Sequence, residues 1–196
     1  YQNADANLEQ IVELTERMAD ISAQLRQFSR KSSERQETIS VQACINYALR
    51  LFQSRLRDGN ITVIQQWPED TLWVKGDLVR LEQVLVNLIS NALQAMKTAP
   101  APQLTIEAFI RQQQVIINVI DNGPGIPDEH LGHIFEPFFT TKAPGSGLGL
   151  GLSISSRIMD DLGGKLQATN HPDRGACFTI TLPHSTLTHA QERSHY

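Results

Sequence analysis

The sequence has few cysteines and no long apolar run. Its 196 residues include two cysteines, Cys44 and Cys177, which lie far apart in apolar patterns without C-x-x-C or metal-ligand spacing. We expect both to be buried free thiols in a reducing, cytoplasmic compartment. No apolar stretch approaches the roughly 18 residues that a membrane-spanning helix needs. Contact with a membrane is therefore expected only through segments upstream of this sequence.

An excess of positive charge is also lacking. Seventeen basic residues stand against 21 acidic ones, and the net charge is −4. A nucleic-acid partner therefore has no electrostatic support. The 40% hydrophobic and 19% charged content is that of an ordinary globular protein. The length suffices for one domain and an appendage.

The beginning of the chain lacks both glycine and proline. Between residues 7 and 32, apolar residues recur at alternating spacings of three and four, at Ile11, Leu14, Met18, Ile21, Leu25 and Phe28. This heptad pattern predicts a helix that pairs with another helix, of this chain or of a second copy, over residues 1–35. The alternative is that the helix lies against the domain that follows. Residues 32–38 are polar and predict a hinge.

The rest of the chain alternates helices with strands and predicts an α/β domain over residues 38–183. Helices are expected at 41–57, capped by Ser40, at 78–97, capped by Asp77, and at about 152–162, with a short helical patch near 128–134. Strands are expected at 61–67 and 72–74, joined by a turn at 68–70, and at 103–110, 115–121, 165–169 and 176–182. Residues 184–196 predict a disordered tail.

A loop that contains one acid follows the apolar strand 115–121. It reads DNGPGIP over residues 121–127. Its two glycines allow a tight turn and close approach of another molecule to the backbone, and its prolines stiffen it. Alone, the motif favours a surface turn with a solvated Asp121, because glycine and proline are common in turns.

Two amides, Asn87 and Asn91, lie four residues apart and therefore on one face of the most apolar predicted helix. Buried amides need hydrogen-bond partners, so each could bond to backbone across the core. Alternatively, their carbonyl oxygens could face Mg²⁺, which prefers oxygen ligands.

Two further stretches come before the predicted helix 152–162. Residues 134–142, IFEPFFTTK, place three phenylalanines before Thr140, Thr141 and Lys142, an arrangement that suits a lid anchored in the core. Residues 145–151, GSGLGLG, have glycine at every second position. Free amides at a helix N-terminus bind anions, so this stretch predicts a phosphate site, with a flexible linker as the alternative.

Together the four stretches resemble the N, G1, F and G2 boxes of the histidine-kinase ATP-binding domain, in matching order and spacing. The resemblance implies a Bergerat ATP-binding fold, a two-layer sandwich of a mixed β-sheet and three main helices. It covers residues 40–183. The same superfamily includes gyrase B, Hsp90 and MutL.

The resemblance also implies roles for individual residues. Asp121 would accept the adenine exocyclic amine, Asn91 would hold Mg²⁺, and Asn87 and Lys142 would act near the transferred phosphate. The implied ATP-binding set is Asn87, Asn91, Asp121, Gly123, Gly125, Ile126, Phe135, Thr140, Thr141, Lys142, Gly145, Gly147, Leu148, Gly149, Leu150 and Gly151.

One departure from the wider superfamily indicates the reaction. Gyrase B, Hsp90 and MutL carry a water-activating Glu four residues before the magnesium Asn, whereas this chain has Asn87, which cannot act as a base. Phosphoryl transfer is therefore favoured over hydrolysis. The resemblance implies a sensor kinase, the cytoplasmic part of an inner-membrane protein, that phosphorylates a histidine on a dimerisation hairpin and then a response-regulator receiver domain.

The helix of residues 1–35 then corresponds to the second helix of the dimerisation hairpin, which implies a homodimer. None of the six histidines lies in an H-E-x-x-x-P phosphoacceptor context, so the chain alone is not expected to phosphorylate itself. The triplet Thr140-Thr141-Lys142 resembles nitrogen and C4-dicarboxylate sensors. The competing hypotheses are a regulatory nucleotide-binding module without turnover and a purely structural dimerisation fragment.

Overall fold

The computed structural model describes residues 36–141, 148–172 and 175–186. The predicted helix over residues 1–35, Lys142, Gly145, Gly147 and residues 187–196 of the predicted tail lie outside these ranges. In chain order the elements are β1 (Glu37–Ser40), α1 (Val41–Leu51), α2 (Gln53–Asp58), β2 (Thr62–Gln66), β3 (Trp73–Gly76), α3 (Leu78–Ala95), β4 (Gln103–Arg111), β5 (Gln114–Asp121), α4 (Asp128–Leu131), α5 (Gly151–Asp161), β6 (Lys165–Asn170) and β7 (Ala176–Pro183).

The main sheet has five strands in the order β2-β4-β5-β7-β6. Strands β2 and β4 are parallel and the other pairs are antiparallel, so the sheet is mixed as predicted. Alternate residues of β5 are buried, and they pack with apolar residues of the three long helices α1, α3 and α5. The helices therefore cover one face of the sheet, as the α/β sandwich prediction required.

Helix α3 forms the centre of the core. Leu81, Leu85, Leu88 and Ile89 have no exposed surface, and they repeat with the three- and four-residue spacing of a helix face. The predicted caps of α1 and α3 are both present, since Ser40 Oγ accepts from the Ala43 amide and Asp77 Oδ1 from the Arg80 amide. No helix within the described ranges has the length and apolar content needed to cross a membrane.

The prediction of one helix over 41–57 was wrong at Phe52. Its backbone leaves the helical region at φ −103° and ψ 8°, so α1 ends at Leu51 and α2 begins at Gln53. The Phe52 side chain is buried, whereas Leu51 is 56% exposed. The break turns the aromatic ring into the core, a tertiary effect that helix periodicity does not report.

The two strands expected on either side of the 68–70 turn are present, but they do not pair with each other. Strand β2 pairs with β4, whereas β3 pairs with β1, which occupies part of the predicted hinge. At the far end, the His184 amide donates to the Gln113 carbonyl and the Ser185 amide to the Trp73 carbonyl. The first residues of the predicted tail are therefore paired with the domain.

The two cysteines are free, as expected. Cys44 is fully buried on α1, and burial, with smaller contributions from Glu82 and Glu37, raises the pKa of its thiol to about 12. Cys177 is only partly buried, so the expected burial was correct for Cys44 and only partly correct for Cys177.

Gln42 on α1 holds the loop between β2 and β3. Its Nε2 donates to the Asp70 carbonyl and its Oε1 accepts from the Leu72 amide, both at 2.9 Å. We expect Gln42→Ala to lower the free energy of unfolding by about 1–2 kcal/mol, because two hydrogen bonds are lost. Asn46→Ala, one turn further along α1, is the control and should change stability by less than about 0.5 kcal/mol. Equal losses in urea unfolding would contradict this role for Gln42.

Candidate functional site

The carboxylate of Asp121 lies at the end of β5 and is almost completely buried, with 2% of the residue exposed. Its Oδ1 accepts from the Gly123 amide at 2.9 Å and from the Ala176 amide at 3.4 Å. Both hydrogen bonds end on the same oxygen, which leaves Oδ2 for a ligand. A buried carboxylate oxygen of this kind accepts from an amino group and repels a carbonyl group.

Burial also changes the titration of this acid. Desolvation raises the pKa of Asp121 above its ordinary value, and the two backbone hydrogen bonds only partly offset the rise. A hydrogen-bond donor brought by a ligand would stabilise the ionised form of this buried acid, which desolvation disfavours.

Two local features fix the loop after Asp121. Asn170 on β6 accepts from the Ile126 amide and donates to the Ile126 carbonyl, both at 2.7 Å. Gly175 adopts φ +95°, and a Cβ there would collide with the Asp121 carbonyl oxygen. The loop is thus held between β6 and the start of β7 without any ligand.

Glycines 123 and 125 are required partly by the protein itself. A Cβ at Gly123 would lie 2.8 Å from Asp121 Oδ1, and one at Gly125, where φ is +82°, would lie 2.9 Å from Asn170 Oδ1. The prediction that these glycines admit a purine stays a prediction. Their contacts show that the turn needs them in any case.

The two amides on α3 face the same cleft. Asn87 Nδ2 donates to Ser155 Oγ on α5 at 2.9 Å. A Cβ on Gly151 would lie 2.5 Å from Asn87 Oδ1, so this carbonyl oxygen points toward the first residue of α5. Among the described residues, no cluster of acidic, histidine or cysteine side chains could hold a metal. The amide oxygens of the two asparagines are oxygen ligands of the kind that Mg²⁺ prefers.

Helix α5 begins at Gly151 with no side chain capping its first turn. The preceding residue Leu150 is buried, and both residues line the cleft together with Leu148 and Gly149. Uncapped amides and the positive end of the helix dipole favour an anion here. This is the position at which the glycine-rich stretch predicted a phosphate site.

The segment between α4 and α5 is only partly anchored. Phe135 and Phe139 pack against the core, whereas Phe138 is 67% exposed and has φ +67°. The expectation that three phenylalanines anchor this segment is therefore wrong for Phe138. The Phe138 amide donates to the Gly149 carbonyl, which ties the segment to the start of α5.

These elements enclose one cleft of about 510 Å³, a size typical of small-molecule sites. Of the predicted residues within the described ranges, eleven line it: Asn87, Asn91, Asp121, Gly125, Ile126, Thr140, Thr141, Leu148, Gly149, Leu150 and Gly151. Gly123 and Phe135 are not on its wall; Gly123 instead holds the Asp121 carboxylate, and Phe135 packs against the core.

Sequence reasoning missed several residues on the wall, among them Ser90, Gln94, His130 and Phe178. Ser90 and Gln94 continue the polar face of α3 beside the two asparagines, a periodicity that could have revealed them. His130 packs edge-on against Phe139, with ring centroids 5.4 Å apart. Phe178 enters from β7, and only the sheet pairing brings it near β5.

The fold and the cleft define a nucleotide-binding class of protein. A buried acceptor that can select an amino-substituted base lies at one end of the cleft, and an uncapped helix start with two amide oxygens lies at the other.

Comparison with known proteins agrees with this assignment. Residues 76–186 match the family described as histidine kinase-, DNA gyrase B- and HSP90-like ATPases. The chain is 41% identical over 182 residues to the C4-dicarboxylate transport sensor protein DctB of Pseudomonas aeruginosa, covering 92% of this chain and 30% of that protein. It is 36% identical to DctB of Rhizobium meliloti, covering 91% and 28%. The chain thus spans under a third of the length of these relatives.

Solved structures show the same fold. The catalytic domain of the histidine kinase ThkA aligns with TM-score 0.69 and 34% identity, covering 76% of this chain and 95% of that domain. ThkA in complex with the response regulator TrrA aligns with TM-score 0.71 and 31% identity, covering 87% and 49%. The chain belongs to the histidine kinase-, DNA gyrase B- and HSP90-like ATPase family, as the ATP-binding catalytic domain of a sensor histidine kinase.

Base selection should depend on the Asp121 carboxylate. We expect Asp121→Asn to weaken ATP binding by about tenfold or more and to reduce the preference for ATP over GTP, because an amide can also donate to a guanine carbonyl. Titration calorimetry with both nucleotides measures the change. Asp128→Asn on α4 is the control and should bind like the wild type. Identical isotherms for wild type and Asp121→Asn would show that the base binds elsewhere.

The raised pKa of Asp121 also predicts a pH dependence of stability. The folded state holds the Asp121 proton more tightly than the unfolded chain, whose ordinary pKa is 3.8. The resulting stabilisation is fully present below that value and is lost as pH rises through the folded-state pKa. Asp121→Asn should therefore gain stability relative to wild type as pH rises from about 3.5 to 7. Urea unfolding measures this; a constant difference across that range would refute it.

Proposed function

We propose that this chain binds Mg·ATP and transfers the γ-phosphoryl group to a histidine on the dimerisation hairpin of a sensor kinase. A response-regulator aspartate then receives the phosphoryl group. In the intact sensor the domain lies in the cytoplasm, and the residues 1–35 pair with a second copy. The similarity to the DctB sensors favours C4-dicarboxylate sensing as the subgroup.

The composition of the cleft wall carries the proposal. Asp121 is the only carboxylate among the described residues that line the cleft. Its Oδ1 is occupied by two backbone amides and its pKa is raised, which suits recognition of a base. No second carboxylate is therefore placed there to activate water. A phosphate end that presents Asn87 and Asn91 in place of a carboxylate favours transfer to an external acceptor over hydrolysis.

The residues at the other end of the cleft provide positioning and charge neutralisation. Asn91 would hold Mg²⁺, and Asn87, fixed by Ser155 on α5, would support the phosphates beside it. When bound, Mg²⁺ supplies neutralisation of the phosphate charge. The amides at Gly149, Leu150 and Gly151 would bind the phosphate oxygens.

The lid residues complete the proposed site. Thr140 and Thr141 line the cleft just before residues 142–147, and Leu148 lines it just after them. Lys142, Gly145 and Gly147 stay predictions for the phosphate end. Closure of this segment over the nucleotide would exclude water from the transferred group.

A labelling experiment tests the transfer. The chain is mixed with ATP labelled at the γ-phosphate and with a kinase-dead full-length DctB of P. aeruginosa that keeps its phosphoacceptor histidine. We expect acid-labile label on DctB, none on the chain alone, and none with Asn91→Ala, because the metal ligand is removed. The control Asn118→Ala removes an amide on the outer face of the sheet and should label normally.

The outcomes separate the competing hypotheses. Binding of ATP without labelling would favour the regulatory module, provided that co-sedimentation shows the two proteins associated. Absence of ATP binding would support the purely structural fragment and refute the proposal.

A further inference from the structure

One edge of the main sheet is formed by β2, which pairs only with β4 within the described ranges. The Thr62 amide donates to the Pro102 carbonyl at 3.0 Å, which fixes the alternation of backbone groups along the strand. Residues 62, 64 and 66 therefore point their N–H and C=O groups toward β4. Those of Val63 and Gln65 point away from the sheet, and no described residue bonds to them.

A groove of about 750 Å³ runs along this edge, between β2 and the helices α1 and α2. Val63 and Gln65, the two residues with outward backbone groups, are both on its wall. Leu49 and Leu56 supply apolar surface from the helices. The groove shares no lining residue with the nucleotide cleft.

The charge of the groove differs from that of the whole chain. Arg50 and Arg57 are on its wall, and no acidic side chain is among the described residues that line it. Arg57 approaches Asp58 at 3.6 Å, but both side chains are more than 70% exposed, so this ion pair holds the guanidinium only weakly. A positive groove in a chain of net charge −4 selects a negatively charged partner.

The edge also lacks the usual protection against pairing. Exposed edge strands are commonly blocked by Lys, Pro or a bulge. Strand β2 reads TVIQQ, without charge or proline, and its five residues pair with β4 in unbroken register.

We propose that the β2 edge is a docking site for an extended, acidic segment of a partner protein, which adds to the sheet as a sixth strand. Main-chain hydrogen bonds to Val63 and Gln65 would hold the segment. Its alternate side chains would place apolar groups against Leu49 and Leu56 and carboxylates beside Arg50 and Arg57. The site is separate from ATP binding, so a partner could dock while the nucleotide site works.

Strand addition can be tested by removing one outward N–H. Gln65→Pro removes the N–H that points away from the sheet and leaves every hydrogen bond to β4 in place. Edge strands tolerate proline at such outward positions. Gln65→Ala is the matched control, since it shortens the same exposed side chain and keeps the amide. The probe is a fluorescent peptide of about ten residues in which valine and glutamate alternate, and fluorescence anisotropy measures its binding.

We expect the acidic peptide to bind wild type and Gln65→Ala alike. Gln65→Pro and Arg50→Glu/Arg57→Glu should each weaken it by about tenfold or more. A peptide alternating valine and lysine should not bind, and Arg111→Glu, at the far end of β4, should have no effect. ATP affinity serves as the test of folding and should be unchanged in every variant. Failure of the acidic peptide to bind, or equal binding by Gln65→Pro and wild type, would overturn the proposal. So would a wild-type dimer in sedimentation that Gln65→Pro alone abolishes, because a second copy of the chain would then occupy the edge.

Discussion

The buried carboxylate of Asp121 and its two backbone amides determine the geometry of the site. Leaving a buried charge without partners costs several kcal/mol, so the chain must bring donors to it. The Gly123 amide comes from the following loop and the Ala176 amide from the start of β7. These two hydrogen bonds connect β5, its loop and β7 at one point. The same point forms one wall of the cleft, where we propose that the base binds.

The other end of the cleft depends on the contact between α3 and α5. The hydrogen bond from Asn87 to Ser155 and the close approach of Asn87 Oδ1 to Gly151 set where α5 begins. Arg80 and Asp161 join the opposite ends of the same two helices at 2.6 Å. The uncapped amides of α5 are thus placed relative to α3, which also bears Asn91. The proposed phosphate and metal ligands would therefore come from two elements that are fixed to each other.

The predicted residues that the structure places on one cleft each belong to a local motif. Glycine alternation, paired amides and an acid after a buried strand are all visible within ten residues. The sequence could not predict that Asn170 holds Ile126 or that Phe178 enters the cleft, since sheet pairing brings β6 and β7 beside β5. It also failed at Phe52, where burial of the aromatic ring in the core overrides the helix pattern. The errors lie where long-range contacts decide.

The centre of the sheet and its β2 edge then serve different purposes. Alternate residues of β5 and β7 are buried in the core, and the last buried residue of β5 is Asp121, on the cleft wall. At β2 the strand is short, pairs on one side within the described residues, and leaves two outward backbone positions at a positive groove. Strand β4 lies between them and is buried at Leu104 and Ile106, where it pairs with both β2 and β5. A strand added at β2 would therefore extend the sheet that carries Asp121 without altering the residues that hold its carboxylate.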